Sequence, residues 1–299
     1  MSANPKPQTA TTEQPWTIKR LLDWTTEFFH SKQLDSSRLS AEILLAEAMG
    51  CPRIQLYTQF DIVPDETALA SYRSWVKRHA KGEPVAYLVG HKEFFSLKFS
   101  VDSNVLIPRP ETEHVILTAI ESAKRFSHSP IRISDVGTGS GCIAITLAKH
   151  IDNSQVIGLD ISPEAINVAH SNVDLHKTQN VSLVVSDLFE NLPGEFKPDI
   201  IVSNPPYIGR NEVDTVDASV KDYEPDIALF AGDDGLEVVR RLVSDSANLL
   251  SSGGILIFET SPIVFDDCLK IVDSESAFSE PEVIKDYSNQ RRVIQAVKK

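Results

Sequence analysis

From residue 131 onward the chain changes character at regular intervals, short apolar runs giving way to stretches with a helical period and back again. Runs at 131–136, 155–159, 181–185, 199–202 and 255–258 read as strands, with helical stretches such as 142–150 between them. Ser162-Pro163-Glu164 opens another helix with an N-cap hydroxyl, a proline at the first helical position and an acid in the first turn. Strands that alternate with helices imply a parallel α/β sheet. A last pair, at 282–284 and 292–297, reads as an antiparallel hairpin at the edge of that sheet.

The first part of the chain has a different pattern. Ile18, Leu21, Leu22, Phe28 and Phe29 form one apolar stripe, and Leu39, Ile43, Leu44 and Ala48 form a second that stops at Gly50. A third helix over 64–79 buries Leu69, Tyr72 and Val76. Residues 17–85 are therefore expected to form a small helical bundle, preceded at 1–16 by a tail rich in Thr, Pro, Gln and Ala that reads as disordered. Between 86 and 110 the period becomes two: Phe95, Leu97, Phe99 and Val101 alternate with polar residues, and Val105-Leu-Ile107 follows the turn signal Asp102-Ser-Asn104. A β-hairpin linking the bundle to an α/β domain at 111–299 is the expectation.

Composition narrows the class of function. The chain is 41% hydrophobic and 24% charged, with no apolar run long enough to span a membrane, which points to a soluble protein. Cys51, Cys142 and Cys268 are widely spaced and form no CxxC pair, so neither a zinc site nor a disulfide framework is expected, and the setting is cytoplasmic. The balance of 29 basic and 42 acidic residues, a net charge of −13, disfavours nucleic acid as substrate. The cluster Arg73, Lys77, Arg78, His79 and Lys81 closes a helix that begins with acids, and the helix dipole accounts for it.

Two motifs carry chemistry. Asp135-Val-Gly137-Thr138-Gly139-Ser140-Gly141 follows the first strand of the alternating region and precedes a helix, where glycines let the backbone approach a ligand and the helix offers free N–H groups. Asp160 ends the next strand, placed to accept both hydroxyls of a ribose. Asp187, with Leu188 and Phe189, ends the third, placed to meet the amine and ring of an adenine, although each acid alone can also be a helix cap. The second motif is Asn204-Pro205-Pro206-Tyr207, at the end of a buried strand. Its prolines fix φ and donate nothing, which leaves the Asn204 side chain and the Pro205 carbonyl as acceptors able to hold an NH2 group, or else an ordinary turn. No nucleophile elbow, P-loop or Cys-His pair accompanies them.

These residues resemble the class I methyltransferases that use S-adenosylmethionine, and among them the PrmC/HemK family of release-factor glutamine methyltransferases. Leu106-Ile-Pro-Arg-Pro-Glu-Thr-Glu113, Ser186-Asp-Leu-Phe189, Ile201 to Ile208, Glu224-Pro225 and Gly232-Asp-Asp-Gly-Leu236 are similar to family blocks in the family's order. Two places depart from it: Glu259-Thr-Ser-Pro262 with Val264, where the family has Glu-Ile-Gly and a following Gln, and Ser288-Asn289, where it has a glycine. The resemblance implies a Rossmann-like sheet of seven strands. It implies that Gly137, Thr138, Gly139, Ser140 and Gly141 border the methionine of the cofactor, with Asp135 beside them, that Asp160 holds its ribose, and that Asp187 and Leu188 lie at the adenine. It gives Asn204, Pro205 and Tyr207 the catalytic turn, and Asn204, Pro205, Pro206 and Tyr207 the substrate, the glutamine of the Gly-Gly-Gln motif in class I peptide chain release factors. S-adenosylhomocysteine is then the product, no metal takes part, and a monomer suffices. An adenine-N6 methyltransferase of DNA or RNA shares the Asn-Pro-Pro-Tyr turn and is the nearest rival. A nicotinamide oxidoreductase would want a different glycine spacing, and a non-catalytic nucleotide-binding module would leave the acceptor turn unexplained.

Overall fold

The structure is a computed structural model that describes residues 15–215 and 217–299. Of the tail expected at 1–16, all but Pro15 and Trp16 lies outside the described residues. The chain divides into two compact units, Met1–Val89 and Gly90–Lys299.

The first unit contains α1 (Ile18–Ser31), α2 (Ser37–Ala48), α3 (Arg53–Thr58), α4 (Glu66–His79) and α5 (Val85–Val89). Thr17 caps α1 by accepting from Arg20 N, and Asp65 caps α4 by accepting from Ala68 N at 2.8 Å. Ile18, Leu22, Phe29, Leu44, Leu45, Leu56 and Tyr72 form its core. Helices α3 and α5, of 6 and 5 residues, are too short for a helical period to reveal them. The stripe assigned to α2 is displaced, for Leu39 is 41% exposed while Ala41, Leu44 and Leu45 are buried. The displacement has a cause: the inner face of α2 also carries the buried acid Glu42, which pairs with Arg38 and Arg53 and accepts from Tyr57, so polarity does not mark that helix's outside.

The second unit opens with β1 (His91–Phe94) and β2 (Leu97–Ser100), an antiparallel pair. The expected hairpin ran from the 93–101 strand to 105–107. Instead the chain reverses at Phe95 and Ser96, both at positive φ (50° and 60°), and 105–107 is not a strand. Asp102 does form a turn, accepting from Asn104 N at 2.9 Å, but no strand follows it. A reversal at left-handed positions is normally signalled by Gly, Asn or Asp, and Phe-Ser hides it. Phe94 and Phe99 pack into the core beneath the main sheet, and Asn172 exchanges hydrogen bonds with Ser100. The hairpin is thus built into the second unit.

There follow α6 (Glu113–Ala123), β3 (Ile131–Val136), α7 (Cys142–His150), β4 (Ser154–Asp160), α8 (Pro163–His176), β5 (Val181–Val185), β6 (Ile200–Ser203), α9 (Ala218–Lys221), α10 (Asp226–Leu229), α11 (Glu237–Leu249), β7 (Ile255–Glu259), α12 (Phe265–Ser274), β8 (Glu282–Lys285) and β9 (Arg291–Val297). The seven-stranded sheet has the order β5-β4-β3-β6-β7-β9-β8. Strands β3 to β7 are parallel, and β9 runs antiparallel to both β7 and β8. This is the α/β sheet with an antiparallel edge hairpin that the alternating pattern calls for. Strands β6 and β7 are buried along their whole length, as parallel strands covered by helices on both faces must be.

Candidate active site

The strand order reverses between β3 and β6, and an open α/β sheet leaves a crevice at the carboxyl ends of such a pair. Val136 and Ser203 are register partners there. The Ser203 hydroxyl donates to the Val136 carbonyl at 2.7 Å across 67 residues of sequence. The glycine run leaves β3 and the proline turn leaves β6, so the sheet sets the two motifs side by side.

The glycine loop is shaped from behind. Asp135 is fully buried, and its Oδ2 accepts from the Thr138 hydroxyl at 2.6 Å and from Ala144 N at 3.0 Å, tying the loop to the first turn of α7. Burial pushes that carboxyl up to about 7 against the pull of those two hydrogen bonds. Gly139 sits at φ +54°, and a Cβ added there would stand in open space with no protein atom within 4 Å. Glycine is needed at 139 for its conformation, and what it leaves facing outward is bare backbone.

That backbone walls a cavity of about 240 Å³, together with Thr138, Ser140, Asp160, Asp187 and Leu188. Asp160, at the end of β4, accepts from Gly139 N at 2.8 Å and from Ser162 N at 3.0 Å. Burial raises its pKa, with the backbone donors pulling the other way. Asp187 is paired with Arg241 at 3.0 Å, and Arg241 also reaches the wall. Three residues expected near the ligand are not among those that line this cavity: Asp135 Oδ2 bonds within the loop, Gly141 sits against Ile145 and Ala169 where α7 meets α8, and Phe189 is half-buried against the core on the sheet face opposite Phe94 and Phe99.

A second cavity, of about 300 Å³, adjoins the first and is lined by Pro205 and Tyr207 together with Arg109 and Ile263. Asn204 and Pro206 line both. Asn204 Nδ2 donates to the Thr112 hydroxyl at 3.2 Å, which leaves Oδ1 as the half of the amide offered to a ligand. The turn is clamped from outside: Ile208 N donates to Leu229 O, Ala231 N to Ile208 O and Arg210 N to Gly232 O, each at 3.0 Å. Gly235 lies so close that a Cβ on it would come within 2.5 Å of the Tyr207 carbonyl. Burial pushes the Tyr207 hydroxyl up to about 12, so it stays protonated.

The arrangement can hold a nucleoside in one cavity and an NH2 group in the next. Among the described residues there is no cluster of His, Cys, Asp and Glu able to hold a metal. The site also contains side chains to which the sequence reading gave no role. Thr112 holds Asn204, Glu224 pairs with Arg109 and accepts from Ile107 N at 3.2 Å, and Glu259, at the end of β7, is a buried acid whose Oε2 has no partner among the described residues. Thr112 and Glu224 fell within blocks similar to the family's, and Glu259 closes the apolar strand Ile255-Leu-Ile-Phe.

Both parts of the chain match known families. Residues 20–90 match the PrmC N-terminal domain, and residues 115–221 the methyltransferase small domain. The release factor glutamine methyltransferase of Rhodopirellula baltica is 45% identical over 285 residues, covering 94% of this chain and 96% of that one. Its namesake in Geobacter sulfurreducens is 41% identical over 250 residues, covering 83% and 86%. Among solved structures, the hMettl16 catalytic domain with an RNA hairpin overlays at a TM-score of 0.51 and 18% identity, covering 68% of this chain and 76% of that one, a likeness of fold alone.

Proposed function

The chain belongs to the release factor glutamine methyltransferases, and from that premise we propose how its two cavities share the reaction. The enzyme transfers a methyl group to a glutamine of a release factor. We assign the donor to the cavity at the glycine loop and the glutamine side chain to the cavity at the proline turn. The residues present fit S-adenosylmethionine: a strand-end acid for a ribose, an apolar Leu188 for a ring, and a bare-backbone cradle at Gly139 for the amino-acid end. When bound, S-adenosylmethionine supplies a sulfonium-borne methyl and leaves as S-adenosylhomocysteine.

Asn204 carries the reading, because it lines both cavities and one of its Nδ2 hydrogens is already given to Thr112. An amide nitrogen is a poor nucleophile, since its lone pair is delocalised into the carbonyl. Asn204 Oδ1 and the Pro205 carbonyl accept its two N–H bonds, hold the nitrogen in place and favour the more tetrahedral geometry of the transition state; once methylated, the nitrogen carries a surplus, strongly acidic proton, which passes to solvent. That is positioning combined with electrostatic stabilisation. Tyr207 packs against the glutamine stem. We take the acceptor to be the glutamine of the Gly-Gly-Gln motif of class I release factors, whose methylation modulates termination of translation. One chain carries both cavities, so a monomer suffices. The free cysteines fit a cytoplasmic setting, and no helix among the described residues is long and apolar enough to cross a membrane.

The test is a labelling experiment: methyl-labelled S-adenosylmethionine is supplied with a class I release factor, the same factor with its motif glutamine replaced, and DNA and RNA. Label on the glutamine side-chain nitrogen of the first protein alone is the expected result. Label on either nucleic acid, or on the factor lacking that glutamine, rejects the assignment.

A further inference from the structure

Ile263 and Tyr287 are 75% and 86% exposed, more than any other large hydrophobic side chain among the described residues. Such residues are ordinary one at a time, but these two stand at the same edge of the sheet. Ile263 lies in the loop that leaves β7, at the carboxyl end of the parallel strands, and it walls the cavity at the proline turn. A residue that walls a cavity and is three-quarters exposed stands at its mouth. Tyr287 lies in the turn between β8 and β9. Because β9 runs antiparallel to both β7 and β8, that turn falls at the same end of the sheet.

The two loops are joined and braced. Thr260 N donates to the Arg292 carbonyl at 2.8 Å, and the Arg291 guanidinium lies 4.6 Å from the centre of the Phe265 ring. Val264 and Phe265 are buried, and Cys268 N donates to Val264 O at 3.0 Å, so the chain turns its apolar side chains inward directly after presenting Ile263 to solvent. In the other loop Asp286 Oδ1 accepts from Ser288 N and Gln290 N, each at 2.9 Å, and Asn289 takes the left-handed position at φ +62°. The Tyr287 ring centre lies 4.7 Å from that of His114, two residues beyond the Thr112 that holds Asn204. The segments 260–266 and 286–292 carry four charged side chains, and these pair with one another: Arg291 with Asp266 at 2.6 Å and Arg292 with Asp286 at 2.9 Å. What the loops leave to offer outward is apolar. They are also the two stretches at which the sequence departs from the family blocks.

We propose that Ile263 and Tyr287 form an apolar shelf at the mouth of the proline-turn cavity, which receives side chains flanking the target glutamine and so helps to select the protein that carries it. The proposal rests on the glutamine site described above. When a glutamine side chain enters that cavity its backbone stays at the mouth, and each further residue adds at most about 3.6 Å, so the shelf is met within about four positions of the glutamine. The occupant is therefore a segment of the release factor with an apolar side chain in that range. A nucleic acid strand would want unpaired cations on the rim, and Arg291 and Arg292 are already held by aspartates. An apolar contact held ready on braced loops needs little ordering on binding, so it strengthens the hold on the factor without acting on the methyl transfer itself.

The experiment measures initial rates at saturating S-adenosylmethionine against the concentration of a full-length class I release factor, and of the same factor with the residues flanking its Gly-Gly-Gln motif replaced by serine. With the natural factor, Ile263→Asp should raise KM roughly tenfold and Tyr287→Ser about threefold, the loss falling on KM far more than on kcat, while Ile263→Leu keeps KM within about twofold. With the serine-flanked factor the wild-type enzyme should itself show the raised KM, and Ile263→Asp should add little to it. Thermal unfolding and S-adenosylhomocysteine affinity, read by calorimetry, should not move in any of the three variants. A wild-type KM for the natural factor in Ile263→Asp overturns the inference alone. So does a further rise in KM as large with the serine-flanked factor as with the natural one, which would mean that Ile263 holds the glutamine cavity itself. A dimer in sedimentation that Ile263→Asp splits would give the shelf to a second copy of the chain, and overturns the inference as well. No methyl on glutamine with the wild-type enzyme overturns the glutamine site and the inference together.

Discussion

The glycine loop after β3 and the proline turn after β6 lie side by side, yet they are held in opposite ways. The loop is shaped by its own neighbourhood: Asp135 reaches three residues ahead to Thr138 and nine to Ala144, and Asp160 returns from the adjacent strand to Gly139. The turn depends on distant chain: Thr112, 92 residues earlier, and the segment 229–235 behind it. Under the proposed assignment, the locally encoded loop meets the part of the reaction common to many enzymes, the nucleoside, and the turn assembled from remote pieces meets the glutamine.

The sharpest test of that contrast is Asn204→Ala, which removes an amide that lines both cavities. It should cost about 3 kcal/mol in the transfer step, roughly a hundredfold in kcat, by analogy with loss of one oxyanion-hole donor. Affinity for S-adenosylhomocysteine should change far less, and a parallel collapse of that affinity in calorimetry would break the division between the two regions. Asp160→Ala attacks the other side. Losing hydrogen bonds to a charged group is worth about 1.5–3 kcal/mol, so donor affinity should fall tenfold or more while kcat at saturation holds. Equal losses in kcat and affinity would contradict it. Gly235→Ala probes the remote clamp without touching either ligand: a left-handed alanine costs about 1–2 kcal/mol before its Cβ meets the Tyr207 carbonyl. Lower thermal stability should come with several-fold lower kcat at unchanged donor affinity. Wild-type kcat in that variant would mean that the prolines alone hold the turn. Tyr207→Phe should have the smallest effect, within about threefold in kcat, because a hydroxyl held at about 12 neither gives nor takes a proton near neutrality. A tenfold loss there would assign it a bonding role.

The same contrast explains what the sequence revealed. The five parallel strands announced themselves through their apolar runs, and the Ser162 cap and Gly50 stop marked helix ends, because each is a local signal. The Phe95-Ser96 reversal escaped because residues that rarely take positive φ do so there. Leu39 misled because Glu42 occupies the inner face of the same helix. In the site, Asp135 was legible as part of a motif but not as a residue turned inward, since a buried acid and a ligand-binding acid have the same spelling. Thr112 could not be read as the partner of Asn204, because only the fold brings residues 112 and 204 together.

The two adjacent prolines of the turn have a further consequence. Pro205 and Pro206 have no N–H, and one Nδ2 hydrogen of Asn204 goes to Thr112, so the two atoms proposed to hold the substrate nitrogen are both oxygens. Under that assignment, a glutamine that has deamidated to glutamate would bring an anionic oxygen against two acceptors where the amide brings N–H. The proposed grip would therefore favour an intact amide over its hydrolysis product, and methylation would report on the chemical age of the release factor.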